Sequence, residues 1–234
     1  MSVLGVTGTS TGVGKTIVTA AVAALCPDVV TVLKPAQTGL PLDAAGDVDE
    51  VKRLVPHVET MELVRYPDPL APAAAARRSG IPTLSPAEVL EGIEEADADL
   101  VLMEGAGGLL VRFSDDPVLT FADLLVEAQA PAVLVTSPAL GTLNHTALTL
   151  EAMQRRGIEC AGLVVGAWPE RPDLANLMNL HDLRLLAPLA GVLPDGMAFL
   201  QPRSFETVAR AGLSPRFGGE FDADRFVARV EELL

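Results

Sequence analysis

Basic residues are scarce in this chain. Seventeen lysines and arginines stand against 31 aspartates and glutamates, for a formal charge of −14 at pH 7. That balance speaks against a nucleic-acid partner, because displacing phosphate counterions takes a positive surface. A solvated acidic exterior accounts for it, and a basic pocket can still sit inside. Cysteine is just as sparse. Cys26 and Cys160 have neither metal-ligand spacing nor disulfide density, and next to strand-like sequence they read as small buried side chains. No uninterrupted apolar run reaches the roughly 18 residues of a membrane span. The opening MSVLGVTGTSTG has no basic segment leading into an apolar one. The expectation is a cytoplasmic protein in a reducing setting, with neither membrane nor nucleic acid as partner. His57, His145 and His181 have no serine or cysteine neighbourhood that calls for them, so no catalytic role is assigned to them.

What the chain does have is apolar mass: 49% of its 234 residues are hydrophobic. That suffices for a substantial core, and with no repeat, linker or low-complexity tract, residues 1–234 read as one domain. Short Val- and Leu-rich runs at 3–7, 29–33, 100–103, 132–136 and 160–165, with a weaker one at 189–193, suit strands buried on both faces. Between them, helices are expected over 15–25, 47–54, 87–95, 121–128, 143–156, 173–185 and 222–234. Ser85-Pro86 and Thr120 supply good helix starts. This alternation predicts an α/β fold with a doubly wound, mainly parallel sheet. In such sheets ligands sit beyond the carboxyl ends of the strands, so the residues just after each strand carry the chemistry.

The first strand end carries GTSTGVGKT, Gly8 to Thr16. Strand, glycine loop, Gly-Lys-Thr and helix in that order make a phosphate-binding loop, although five residues separate Gly8 from Gly14 where the usual loop has about four. Gly12, Val13 and Gly14 would turn backbone N–H groups toward phosphate, and the helix begun by Lys15 adds its dipole. Lys15 would neutralise phosphate charge and the Thr16 hydroxyl would join a Mg²⁺ shell. The second strand ends in VLKPAQTG, which brings Lys34 and Thr38 to the same edge. GDVDEV follows; Asp47 or Asp49 could complete a metal shell, or simply favour a helix start. At VLMEGAGG, Glu104 reaches the edge and Gly105, Ala106, Gly107 and Gly108 allow close approach of ligand. At LGTLNHTALT, the helix start near Leu143 and Asn144 suits an anion such as a carboxylate, with capping by Thr142 or Asn144 as the plainer role.

Taken in order, GTSTGVGKT, KPAQTG, GDVDEV, YPDPLAP, VLMEGAGG, TFADL and LGTLNHTALT resemble the dethiobiotin synthetase family, whose loop has the same longer spacing. The resemblance covers nearly the whole chain. It implies a P-loop ligase with Mg²⁺ that uses ATP to insert CO₂ or bicarbonate carbon between the two amines of 7,8-diaminononanoate. It implies Lys34 and Lys15 as catalytic cations and Thr16, Asp47 and Glu104 as metal ligands, Asp47 being preferred to Asp49. Thr38, Gly107 and Gly108 would hold substrate. Leu143-Asn144 of a second copy would meet its carboxylate across a homodimer interface. One departure stands out: the family often has an asparagine reading adenine where this chain has Gly166. With only backbone around Gly166–Ala167 and Leu193–Pro194 to contact the base, other nucleotides such as CTP are expected to be accepted beside ATP. Two other P-loop readings are weighed. Cobyrinic acid amidating synthetases usually need a glutaminase domain for which this chain has no evident room. ParA- or MinD-like switches typically carry an extra loop lysine where this chain has Thr9.

Overall fold

Alternate residues of the central strands fall into two separate cores. Val101 and Met103 pack on one side while Leu102 packs on the other, and Val133 and Val135 oppose Leu134 in the same way. A strand apolar on both faces must be covered on both, which forces helices onto each side of the sheet.

The computed structural model describes residues 1–232. Its strands are β1 (Ser2–Gly8), β2 (Val30–Thr38), β3 (Glu59–Tyr66), β4 (Leu100–Glu104), β5 (Arg112–Asp115), β6 (Val118–Thr120), β7 (Ala132–Thr136), β8 (Cys160–Trp168) and β9 (Leu189–Pro194). Seven of them form one sheet in the order β3-β2-β4-β1-β7-β8-β9, every neighbouring pair parallel. β5 and β6 make a separate antiparallel hairpin. The helices are α1 (Lys15–Leu25), α2 (Asp47–Leu54), α3 (Pro72–Ser79), α4 (Pro86–Glu94), α5 (Phe121–Glu127), α6 (Thr142–Arg155), α7 (Leu174–Leu186), α8 (Pro202–Gly212) and α9 (Ala223–Glu231). One face carries α1, α2 and α8, through residues such as Val18, Val51 and Phe205. The other carries α3–α7 and α9, through Ala75, Val89, Leu124, Met153, Leu180 and Val227. Each large side chain removed from water on these faces contributes about 1.5–3 kcal/mol.

The parallel, doubly wound expectation is met, and so are two of the helix starts. Thr120 accepts from the Asp123 N–H, and Ser85 from that of Glu88. Four elements are additional: β3, the β5–β6 hairpin, α3 and α8. β3 lies at the sheet edge, half-buried along most of its length and carrying Glu59, Glu62 and Arg65, so it lacks an apolar run. β2 also runs farther than expected, through Pro35 to Thr38. Its pairing with β4 stops at Leu33 while that with β3 continues, and a proline is tolerated where one side of a strand is open. The expected helix 222–234 is observed as α9; residues 233 and 234 of it lie outside the described residues. Among the described residues no helix is long and apolar enough to cross a membrane.

Candidate active site

The connection leaving β1 runs through α1 on one face of the sheet, and that leaving its neighbour β4 runs through α5 on the other, which opens a crevice above their carboxyl ends, beside that of β2. A cavity of about 610 Å³ occupies it. Its lining includes Gly12, Gly14, Lys15 and Thr16 from the glycine loop, Lys34 and Thr38 from β2, Asp47 from α2, and Glu104, Ala106 and Gly107 after β4. Residues far apart in the sequence thus converge because each follows a strand of the same sheet.

The glycine loop enters α1 at Gly14, whose φ of 95° lies in the left-handed region and which gives the helix no side-chain cap. The first-turn N–H groups of α1 are therefore left for an anion. Lys15 folds back so that its Nζ donates to the Ser10 carbonyl at 3.2 Å. Burial, reinforced by the nearby charge of Lys34, lowers its pKa to about 8. A phosphate would reverse that penalty.

Lys34 stands between two carboxylates. Its Nζ is 2.5 Å from Asp47 Oδ2 and 2.8 Å from Glu104 Oε1, and it also donates to the Gly105 carbonyl at 3.3 Å. Burial opposes its charge, yet Glu104 and Asp47 outweigh burial and hold its pKa above the ordinary lysine value. Thr16 Oγ1 donates to the same Glu104 oxygen at 3.0 Å. The other oxygen, Glu104 Oε2, is buried without a hydrogen-bond partner, an arrangement that costs free energy unless a ligand completes it. Magnesium suits such a donor set, since it takes one or two carboxylates and a hydroxyl and fills its octahedron with phosphate oxygens and water. Among the described residues no three His, Cys, Asp or Glu side chains gather to hold a metal unaided, so phosphate would have to share in the coordination.

Asp47 and Asp49 separate clearly. Asp47 lines the cavity, whereas the Asp49 carboxylate accepts the Gly46 N–H at 2.7 Å and lies 3.9 Å from Arg65. The remaining candidates lie around this centre. Val13 is buried beneath the loop and Gly105 is covered by the Phe121 ring. Gly108 approaches the Gly8 and Thr9 carbonyls. Gly166 and Ala167 sit near the end of β8, with Gly166 against Gly14; Leu193 and Pro194 end the adjacent β9. The Leu193 side chain belongs to the core, so only its main chain is free for a ligand. Leu143 and Asn144, in the first turn of α6, do not line this cavity. Thr142 does not cap that helix; its hydroxyl is 2.8 Å from that of Thr136 inside the protein.

Sequence reasoning missed Gln37, which lies next to Thr38 and lines the cavity, and the apolar wall of Pro69, Leu70, Pro72 and Val111. The proline-rich YPDPLAP stretch was the available signal for that wall.

Fold and site together define a P-loop nucleotide-binding α/β protein with a second lysine and two carboxylates beside the phosphate loop. A family model described as an AAA domain matches residues 2–195. The ATP-dependent dethiobiotin synthetase BioD of Saccharopolyspora erythraea is 56% identical over 94% of this chain and 99% of its own length. That of Frankia casuarinae is 55% identical over 99% and 100%. The chain belongs to the ATP-dependent dethiobiotin synthetase family. Its architecture is also similar to solved structures of a ParA family ATPase from Chlorobium tepidum and of the cell division protein MinD from Aquifex aeolicus. The first has a TM-score of 0.54 at 13% identity, covering 98% of each chain. The second has 0.52 at 14%, covering 100% of this chain and 97% of that one. At such identity the likeness concerns the fold alone.

Proposed function

We propose that this protein, as one ligase domain over residues 1–234, makes dethiobiotin from 7,8-diaminononanoate, CO₂ and ATP in the cytoplasm. The observation that carries the reading is Lys34 held between Asp47 and Glu104, beside a phosphate loop and facing a cavity large enough for a nucleotide tail and a small diamine.

One amine of the diamine adds to CO₂ and loses a proton, giving a carbamate. A carbamate oxygen attacks the γ-phosphorus of ATP and ADP leaves, forming a carbamic–phosphoric anhydride. The second amine then attacks the carbamoyl carbon, phosphate departs, and the five-membered ring closes. The first obstacle is repulsion between two anions. Lys15 and Lys34 supply positive charge where it accumulates during transfer, and the loop N–H groups add oriented dipoles. Magnesium, when bound by Thr16, Asp47 and Glu104, neutralises phosphate charge. Gly12, Val13, Gly14, Gly105, Ala106 and Gly107 provide main-chain surface to the nucleotide. Thr38, Gly107 and Gly108 position the diamine or its carbamate. A homodimer completes the site, with the α6 start at Leu143-Asn144 of one copy receiving the substrate carboxylate held by the other.

Base choice is relaxed, because Gly166 offers no amide to read adenine and only main chain at Gly166–Ala167 and Leu193–Pro194 meets the base. CTP or another nucleotide therefore serves beside ATP. A preference for ATP over CTP, GTP and UTP greater than about 100-fold, roughly 2.7 kcal/mol, would contradict that part.

The test of the reaction is a mass-resolved assay with purified protein, diaminononanoate, ¹³C-bicarbonate, Mg²⁺ and ATP. Labelled dethiobiotin should form in step with ADP. A folded protein that binds ATP but makes no labelled ring with any nucleotide would refute the substrate assignment.

A further inference from the structure

Helix α2 begins without a cap of its own. Its N-cap is Gly46, which has no side-chain oxygen to offer the first-turn N–H groups. Two side chains fill that gap. Asp49 Oδ2 accepts the Gly46 N–H at 2.7 Å, and Gln37 Oε1, on β2, accepts the Asp47 N–H at 3.1 Å. The Gln37 amide is oriented by necessity, since a main-chain N–H can only donate and must face the amide oxygen. Its Nε2 donates to the Thr38 carbonyl at 3.1 Å, and the residue is only 6% exposed.

The junction has no slack. A Cβ on Gly46 would stand 2.7 Å from Arg65 Nη2, 3.2 Å from Gln37 Oε1 and 3.3 Å from Glu62 Oε2. Arg65 is itself fixed by a forked pair to Glu62 at 2.6 and 2.7 Å, and its Nη1 donates to the carbonyls of Ala44 and Pro41. Arg65 on β3 therefore holds the incoming loop while Gln37 on β2 holds the first residue of the helix. Between them they bring the Asp47 carboxylate to Lys34.

We propose that Gln37 is a positioning residue that fixes the Asp47 main chain and so aims its carboxylate into the metal–phosphate site. The proposal rests on Asp47 being a magnesium ligand. Partners outside the coordination sphere commonly set metal affinity in this way. Its effect on the metal runs through Asp47, which makes that effect separable from its contact with Thr38 and from general packing.

The experiment is a set of thermal melts of the full chain in saturating ADP with magnesium titrated, for wild type, Gln37→Leu, Asp47→Asn and the double variant. The readout is the magnesium concentration giving half of the metal-dependent rise in Tm. Gln37→Leu is expected to raise it about tenfold, with the metal-free Tm within about 4 °C of wild type, the shift of one lost hydrogen bond in a chain this size. On the Asp47→Asn background it should add no further shift, because the two changes then remove one interaction. A wild-type magnesium midpoint in Gln37→Leu, alongside a moved midpoint in Asp47→Asn, overturns the proposal. So does an additive shift in the double variant, which marks general packing. An unmoved midpoint in Asp47→Asn instead removes the metal role of Asp47, and the proposal falls with it. Gln37→Met, unbranched and of similar length, replaces Gln37→Leu if the branched side chain prevents folding.

Discussion

Gly14 and Gly166 meet backbone to backbone: a Cβ on Gly14 would stand 2.6 Å from the Gly166 carbonyl oxygen. A Cβ on Gly166 would in turn stand 2.2 Å from the Val13 carbonyl oxygen. The phosphate loop thus rests directly on the end of β8, and no side chain fits between them. Placing an asparagine here is predicted to fail. Gly166→Asn must push main chain aside, at about 1–3 kcal/mol, so it should melt lower, bind ADP more weakly and gain no preference for ATP over CTP. Melting curves and nucleotide titrations check this. A variant with wild-type Tm and a new adenine preference would show that the loop can yield.

Lys34 is the counter-ion of a buried carboxylate as well as a candidate for transfer chemistry. Glu104 is 1% exposed, and removing one member of a buried pair leaves the other charged and unpaired. Lys34→Met is therefore predicted to lower the metal-free Tm by about 10 °C, from a loss of about 3–5 kcal/mol. Magnesium with ADP should recover part of that loss, because a second cation replaces the first. Turnover should still fall at least about 100-fold, the cost of losing one preorganised charge at a transfer site. Normal turnover in the folded variant would strike Lys34 from the mechanism.

The phosphate loop and six of the seven sheet strands were legible in the sequence because their signals are local. Gly-Lys-Thr follows an apolar run, and central strands buried on two faces are apolar throughout. β3 escaped because an edge strand needs no such run, and its charges have duties of their own, as Arg65 shows. Spacing alone left Asp47 and Asp49 open, and only the family resemblance favoured Asp47. Two positions on one helix start differ by about 200° in direction, and only the packing of α2 on β2 decides which one faces Lys34. Gln37 falls inside KPAQTG, yet the motif gave it no role, since that role depends on a helix ten positions later whose N-cap is a glycine.

Nucleotide binding should depend on pH through Lys15. Its pKa is lowered from 10.5 to about 8 in the free protein, first by burial and then by Lys34. Between those values the unfolded chain holds a proton that the native chain has released, so this group's contribution to stability rises with pH over that window. Binding runs the other way. Phosphate favours the charged amine, so above about pH 8 binding must take up a proton and affinity falls as pH rises. Calorimetry of ADP binding near pH 9, in two buffers of different ionisation enthalpy, should register that uptake. Lys15→Met should bind more weakly and show none. Proton release, or uptake that survives the substitution, would assign the linkage to another group.

The proposed homodimer can be tested at the start of α6. Gly141 gives that helix no side-chain cap, Thr142 is engaged inside the protein, and Leu143 and Asn144 are absent from the chain's own cavity. Leu140, just before the helix, is 88% exposed, an apolar side chain that a second copy would cover. If each site combines Lys34 of one copy with Asn144 of the other, two different lesions can complement. Lys34→Met should abolish transfer, and Asn144→Asp should repel the substrate carboxylate and raise its KM. In a one-to-one mixture assembled together, half of the dimers are mixed and each holds one undamaged site, so about a quarter of wild-type activity should return. Sites built within one chain predict no recovery at all. Leu140→Asp supplies the companion measurement: it should shift sedimentation toward the monomer, and any fall in Tm should follow that loss of association, since a bound second copy stabilises the native chain.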